Sequence, residues 1–191
     1  MADAEFKPTP SQTLGPFFHF ALPFPGGETL TNGATLGEPI TIEGQVTDGA
    51  GAPVTDALVE IWQANSQGRY NHPEDTQERQ LDPNFNGFGR TQTDEEGRFR
   101  FHTIKPGQVA GPGGTAQAPH INLSVLGRGI MKRLATRIYF ADEAANDGDP
   151  ILALVPQDRR ITLIAQPIGD GAAYQFDIRL QGENETVFFD I

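Results

Sequence analysis

The chain has 191 residues, with 25 acidic against 14 basic side chains and a net charge of -11. That length gives one domain with a substantial core, and that charge repels phosphate backbones and anionic lipid, which argues against nucleic-acid or membrane-surface partners. The absence of cysteine excludes disulfides, thiolate metal sites and a cysteine nucleophile and fits a reducing cytoplasm; no apolar run approaches the ~20 residues of a spanning helix, and Met1–Lys7 lacks the basic and apolar stretches of a signal peptide.

Glycine (22) and proline (15) are scattered between short apolar runs, the punctuation of many turns and strands. Residues 1–38 show no sustained period and read as an extended arm, with turns at Pro16, Pro25-Gly26-Gly27 and Asn32-Gly33. Its rings Phe17, Phe18, Phe20 and Phe24, like Phe188 and Phe189 at the other end, either tuck into the chain's own core or pack on a partner. Ile40–Val46 alternates as a strand, Asp48–Gly51 turns, and Ala57–Trp62 is a strand apolar on both faces, hence central. Asn65–Gly89 is a long polar loop, of the kind that usually carries function or an interface. Thr91–Thr93 and Gly97–Thr103 form a hairpin about Asp94–Gly97. A second long loop, Pro106–Pro119, precedes strands at His120–Leu126, Thr136–Phe140, Arg160–Ala165 and Tyr174–Leu180, and Asp142–Asn146 reads as one helical turn. The fold class expected is mostly β, an antiparallel β-sandwich over residues 39–191 with long loops and the extended N-terminal arm packed on a partner.

His120-Ile121-Asn122-Leu123 has the geometry of a chelating pair. The period of two puts His120 and Asn122 on one face of a strand, where two metal-binding histidines would stand. Asn122 is a neutral amide, a poor donor to a hard metal ion.

Motifs in a fixed order carry a family resemblance. Gly51-Ala-Pro-Val-Thr-Asp-Ala57 leads into Val59-Glu-Ile-Trp-Gln-Ala64 and Gly68-Arg-Tyr70. Asp82-Pro-Asn-Phe85, Phe88-Gly-Arg90, Thr103-Ile-Lys-Pro-Gly107 and Ala118-Pro-His120 follow. Pro10-Ser-Gln-Thr-Leu-Gly-Pro16, Arg128-Gly129-Ile130 and Gln181–Phe189 complete a set that runs from about Thr9 to Ile191. The set resembles the intradiol aromatic-ring dioxygenases. Their catalytic chains hold a non-haem ferric ion with two tyrosinates and two histidines. Carried onto this sequence, the pattern gives Tyr70, Val109, His120 and Asn122, so two of the four ligand positions are lost. An arginine three residues before the first histidine is replaced by Gln117. Tyr139 and Tyr174 lie in alternating strands and read as core aromatics.

The resemblance therefore implies a chain that binds no metal and works beside an iron-binding β chain. Loss of a tyrosinate and a histidine leaves too few donors to hold Fe³⁺, and Tyr70 and His120 are expected to hydrogen-bond to each other in the vestigial site. The Fe³⁺ would sit in the β chain, with protocatechuate and O₂ as substrates. The resemblance puts Thr13, Gly15 and Pro16 at the partner's pocket and Arg128 near the substrate carboxylate, which a guanidinium engages through a bidentate pair. Without it, Arg128 in Gly127-Arg-Gly129 reads as a surface arginine in a turn. Two other readings stay open: a homomeric dioxygenase recruiting His72 or His102 as ligands, and a transthyretin-like binding module, suggested by the Gly51–Trp62 strand pair.

Overall fold

In the computed structural model, which describes residues 9–15, 17–169 and 171–190, the long strands follow the alternation of the sequence. β1 (Pro39–Thr47) buries Ile40, Ile42, Gly44 and Val46 and turns the alternate residues toward the other face. β2 (Leu58–Gln63) buries residues on both faces and is central, with β3 (Phe88–Gln92) on one edge and β7 (His120–Leu126) on the other, both antiparallel. β4 (Arg98–Ile104) pairs antiparallel with β1. The loop before β7 carries a small hairpin of its own, β5 (Val109–Ala110) against β6 (Ala116–Gln117). β8 (Leu134–Phe140), β9 (Ile164–Ile168), β10 (Ala173–Gln175) and β11 (Ile178–Arg179) complete the strands.

The mostly β expectation holds; an antiparallel sandwich does not describe the pairing fully. Nine strands form one mixed, curled sheet. β1 runs parallel to both β10 and β11, and β8 runs parallel to β9. β9 is the link between two halves: Ile164 and Ala165 pair with β8, whereas Gln166–Ile168 pair with β10. Alternation reports which face a residue occupies and carries no information on strand direction. The parallel β8–β9 pair is made possible by the long connection between them, which holds 3-10 turns at Ala144–Gly148, Leu152–Leu154 and Arg160–Leu163. The last of these occupies most of the expected Arg160–Ala165 strand.

The expected strand Tyr174–Leu180 is interrupted at Phe176 and Asp177, with the same register on β1 on both sides of the break. Gly44 explains it: a Cβ there would meet the Phe176 carbonyl. At the same break, the Asp177 carboxylate accepts the Gln45 amide at 3.0 Å in place of a ladder bond.

The curled sheet wraps one core to which β1, β2, β4, β7, β8 and β10 all contribute, among them Ile42, Ile61, Phe101, Leu123, Phe140 and Tyr174. A smaller cluster of Tyr139, Leu152, Val155 and Leu163 lies under the 3-10 turns, with Phe189 packed against it. The arm carries one short helix, α1 (Phe18–Ala21), which buries Phe18 and leaves Phe17 and Phe20 67% and 60% exposed. Beyond it the arm docks between β3 and β4. The Gly27 carbonyl accepts the Arg90 amide, the Glu28 carbonyl accepts the His102 amide, and the Leu30 amide donates to the His102 carbonyl, each at 2.8 Å. Among the described residues no helix is long and apolar enough to cross a membrane.

Candidate functional site

A cleft of about 510 Å³ opens at the start of β7. Tyr70, Val109, Gln117 and His120 line it together with Trp62, His72 and Arg137. Loop chemistry presents Tyr70. The Asn65 carbonyl oxygen of the side chain accepts the Gln67 and Arg69 amides at 3.0 Å, and the Asp75 carboxylate accepts the Tyr70 amide at 2.8 Å. The Tyr70 ring then stacks on Trp62 of β2, with centroids 5.6 Å apart and planes 23° apart. Val109 and Gln117 are register partners in the small hairpin, which brings them to the same wall.

His120 and Tyr70 do not bond to each other as expected. The His120 Nδ1 lies 2.8 Å from the Ala118 carbonyl; a carbonyl only accepts, so Nδ1 carries the proton and Nε2 the lone pair. Asn122 takes the place at Tyr70: its Nδ2 donates to the phenol oxygen at 3.1 Å and to the Trp62 carbonyl at 3.2 Å. The expected pair fails because His120 finds its partner within its own strand entry, two residues back, and the amide two residues on reaches the phenol.

Burial, reinforced by the neighbouring Arg137 guanidinium, lowers the His120 pKa to about 4. Burial raises the Tyr70 phenol above its usual value, against the opposing pull of the Asn122 hydrogen bond and Arg137. The cleft thus offers one neutral imidazole and one protonated phenol, with an amide and a valine at the other two positions. Two protein donors, an imidazole and a phenol, are too few to hold a ferric ion. Among the described residues no group of three or more His, Asp and Glu side chains could hold a metal.

Arg137 is the cleft residue that sequence reasoning missed. It stands on β8 directly opposite Asn122, and its Nη1 donates to the Gln117 side chain at 2.7 Å and to the Tyr139 hydroxyl at 3.4 Å. The Tyr139 hydroxyl donates to buried Asp149 at 3.1 Å. The only signal in sequence was a charged residue in the middle of a mostly apolar strand. Of the alternative histidines, His72 lines the cleft, while His102 sits on β4 with its Nδ1 3.2 Å from Thr41. A larger polar cleft of about 670 Å³ over β1 and β4 holds none of the expected site residues.

The arm residues and Arg128 gather elsewhere. The Gly129 amide donates to Thr13 Oγ1 at 2.7 Å, and exposed Arg128 pairs with Asp56 at 3.2 Å. Gly15 is exposed close by in sequence; Pro16 lies outside the described residues. Arg128 follows the far end of β7, and the seven residues His120–Leu126 at ~3.3 Å each put about 20 Å between this loop and His120. The two groups of residues cannot grip one small molecule.

The dioxygenase family matches residues 15–182. The chain is 44% identical over 197 residues to the protocatechuate 3,4-dioxygenase alpha chain of Pseudomonas putida, covering 95% of this chain and 96% of that one. It is 41% identical over 184 residues to the protocatechuate 3,4-dioxygenase beta chain of Burkholderia cepacia, covering 92% and 77%. Among solved structures, the dioxygenase domain of a dioxygenase–carbohydrate-binding fusion from Streptomyces sp. SirexAA-E superposes with a TM-score of 0.62 at 29% identity, covering 92% of this chain and 99% of that one.

Proposed function

Because the chain belongs to the intradiol dioxygenase family, we propose that it is the α chain of a protocatechuate 3,4-dioxygenase, that it holds no iron itself, and that an iron-binding β chain completes the enzyme. The complex inserts both atoms of O₂ between the two hydroxyl-bearing carbons of protocatechuate, giving 3-carboxy-cis,cis-muconate. This chain breaks no bond in that reaction; it shapes the pocket of its partner in the cytoplasm.

The observation that carries this reading is the separation of its two groups of residues. The cleft that matches the family's metal site keeps Tyr70 and His120 but has lost two of its four donors. Thr13, Gly15 and Arg128 stand about 20 Å away along β7, and Thr13 is tied to the loop that bears Arg128. A substrate-binding arginine that cannot serve its own cleft serves another chain's. Its exposed guanidinium is suited to the carboxylate of protocatechuate. Exposed Phe17 and Phe20 give the arm an apolar face for the same partner, Pro16 belonging to that segment.

The test is iron per chain, measured on this protein expressed and purified alone from iron-replete medium. A value near zero is expected. A value near one, with the colour of tyrosinate-bound ferric ion and ring cleavage without a partner, would overturn the reading in favour of a homomeric enzyme.

A further inference from the structure

Arg137 lines the degenerate cleft as a guanidinium without a counter-ion among the described residues. Its Nη1 is taken by Gln117 and Tyr139, but among the described residues Nε and Nη2 have no hydrogen-bond partner. Among the described residues no carboxylate pairs with the side chain either: the ion pairs join other residues. Nor are these two nitrogens sealed in the interior, since the buried unpaired polar atoms belong to other side chains. Nε and Nη2 together form the edge that matches the two oxygens of a carboxylate. Of the two acidic residues at the same cleft, Asp75 is occupied by the Tyr70 and Gln77 amides, and Glu74 is exposed.

The surroundings select the rest of the ligand. The Trp62–Tyr70 stack supplies a flat aromatic wall, buried Val109 an apolar one, and His120 is a neutral ring. We propose that this cleft is a second, non-catalytic binding site for a small aromatic carboxylate, with Arg137 holding the carboxylate and Trp62 and Tyr70 flanking the ring. The site goes beyond the pocket assigned to the partner chain: it needs no metal, and it lies about 20 Å from Arg128 along β7.

The chain's single tryptophan is part of the proposed wall, so Trp62 fluorescence reports on binding beside it. The full chain is titrated with benzoate, with benzamide as the uncharged isostere and cyclohexanecarboxylate as the non-aromatic acid. Saturable, salt-sensitive quenching with one benzoate per chain by calorimetry is expected, with a Kd on the order of 1 mM for so small a ligand. Benzamide is expected to bind roughly tenfold more weakly or not at all. Arg137→Met, with its fold checked by circular dichroism, is expected to lose the response. No saturable response to benzoate, or equal binding of benzamide, overturns the proposal without any variant being needed. Retained binding in folded Arg137→Met overturns it as well. Equal binding of cyclohexanecarboxylate overturns the aromatic assignment. None of these outcomes depends on where the iron of the complex resides.

Discussion

Asn122 donates a 3.1 Å hydrogen bond to the phenol oxygen of Tyr70, so an amide that is a poor donor to a ferric ion instead fixes the tyrosine beside it. The bond favours the ionised phenol, yet burial outweighs it and Tyr70 titrates above its usual 10.0. Removing the donor in Asn122→Leu should move the ionisation to still higher pH. Ultraviolet titration, taken as the difference between each protein and its Tyr70→Phe counterpart, measures this. A Tyr70 that ionises below 10.0 in the unsubstituted chain would mean that the phenol is poised to bind metal after all.

His120 makes stability depend on pH. Its folded pKa is about 4 against the ordinary histidine value of 6.5, so the native imidazole stays neutral while the unfolded chain binds a proton below pH 6.5. The unfolded state then gains protons that the native state does not, and stability falls as pH drops from 6.5 to about 4, by up to roughly 3 kcal/mol. Urea unfolding across that window should show the slope, and His120→Gln should flatten it. An unchanged slope in the variant would assign the acid sensitivity to other groups.

Arg128→Ala should separate binding from folding. The Arg128–Asp56 pair leaves the arginine side chain 69% exposed, and a pair so accessible contributes at most about 0.5 kcal/mol to stability. In the complex with the β chain, the KM for protocatechuate should rise roughly tenfold or more, the cost of one carboxylate–guanidinium contact, with iron content unchanged. Steady-state kinetics and metal analysis on the same preparation decide it, and an unaltered KM would remove Arg128 from the pocket.

Asp149 should be the most sensitive polar position. It is 1% exposed, and its carboxylate accepts the Ala118 amide at 2.7 Å, the Tyr139 hydroxyl at 3.1 Å, and the Ile151 and Leu152 amides at 2.9 and 2.7 Å. Asp149→Ala strands four donors, three of them buried, and should cost about 3–5 kcal/mol. Asp149→Asn keeps one acceptor oxygen and should recover part of that. Chemical denaturation at neutral pH distinguishes the two; equal stability of both variants would show that the acceptors are dispensable.

The sequence showed the strands where one face is buried. Ile40–Val46 and His120–Leu126 alternate because each has a core side and a wet side, and β1 and β7 lie there with ends shifted by at most a residue. Arg160–Ala165 alternates as well, but a 3-10 turn with a buried Leu163 satisfies the same spacing. The break at Phe176 depends on Gly44, which is far away in the chain, and no local pattern carries such a pairing. The candidate site was legible only through the order of the family motifs: Val109 and Gln117 have no chemical signal of their own, and hairpin register alone brings them together. Arg137 escaped notice because its importance arises from standing opposite Asn122 across a ladder.

The arm's docking has a further consequence, for assembly. Thr13 anchors it to Gly129, and Gly27–Leu30 are fixed to both β3 and β4. Its course is therefore tied at two points by the chain's own backbone before any partner arrives. Most of the conformational entropy of fixing this segment is lost during folding, not at association. In the proposed complex, the arm meets the β chain as a preformed surface, and the strand edges at Arg90 and His102 that it covers are unavailable for pairing with stray chains.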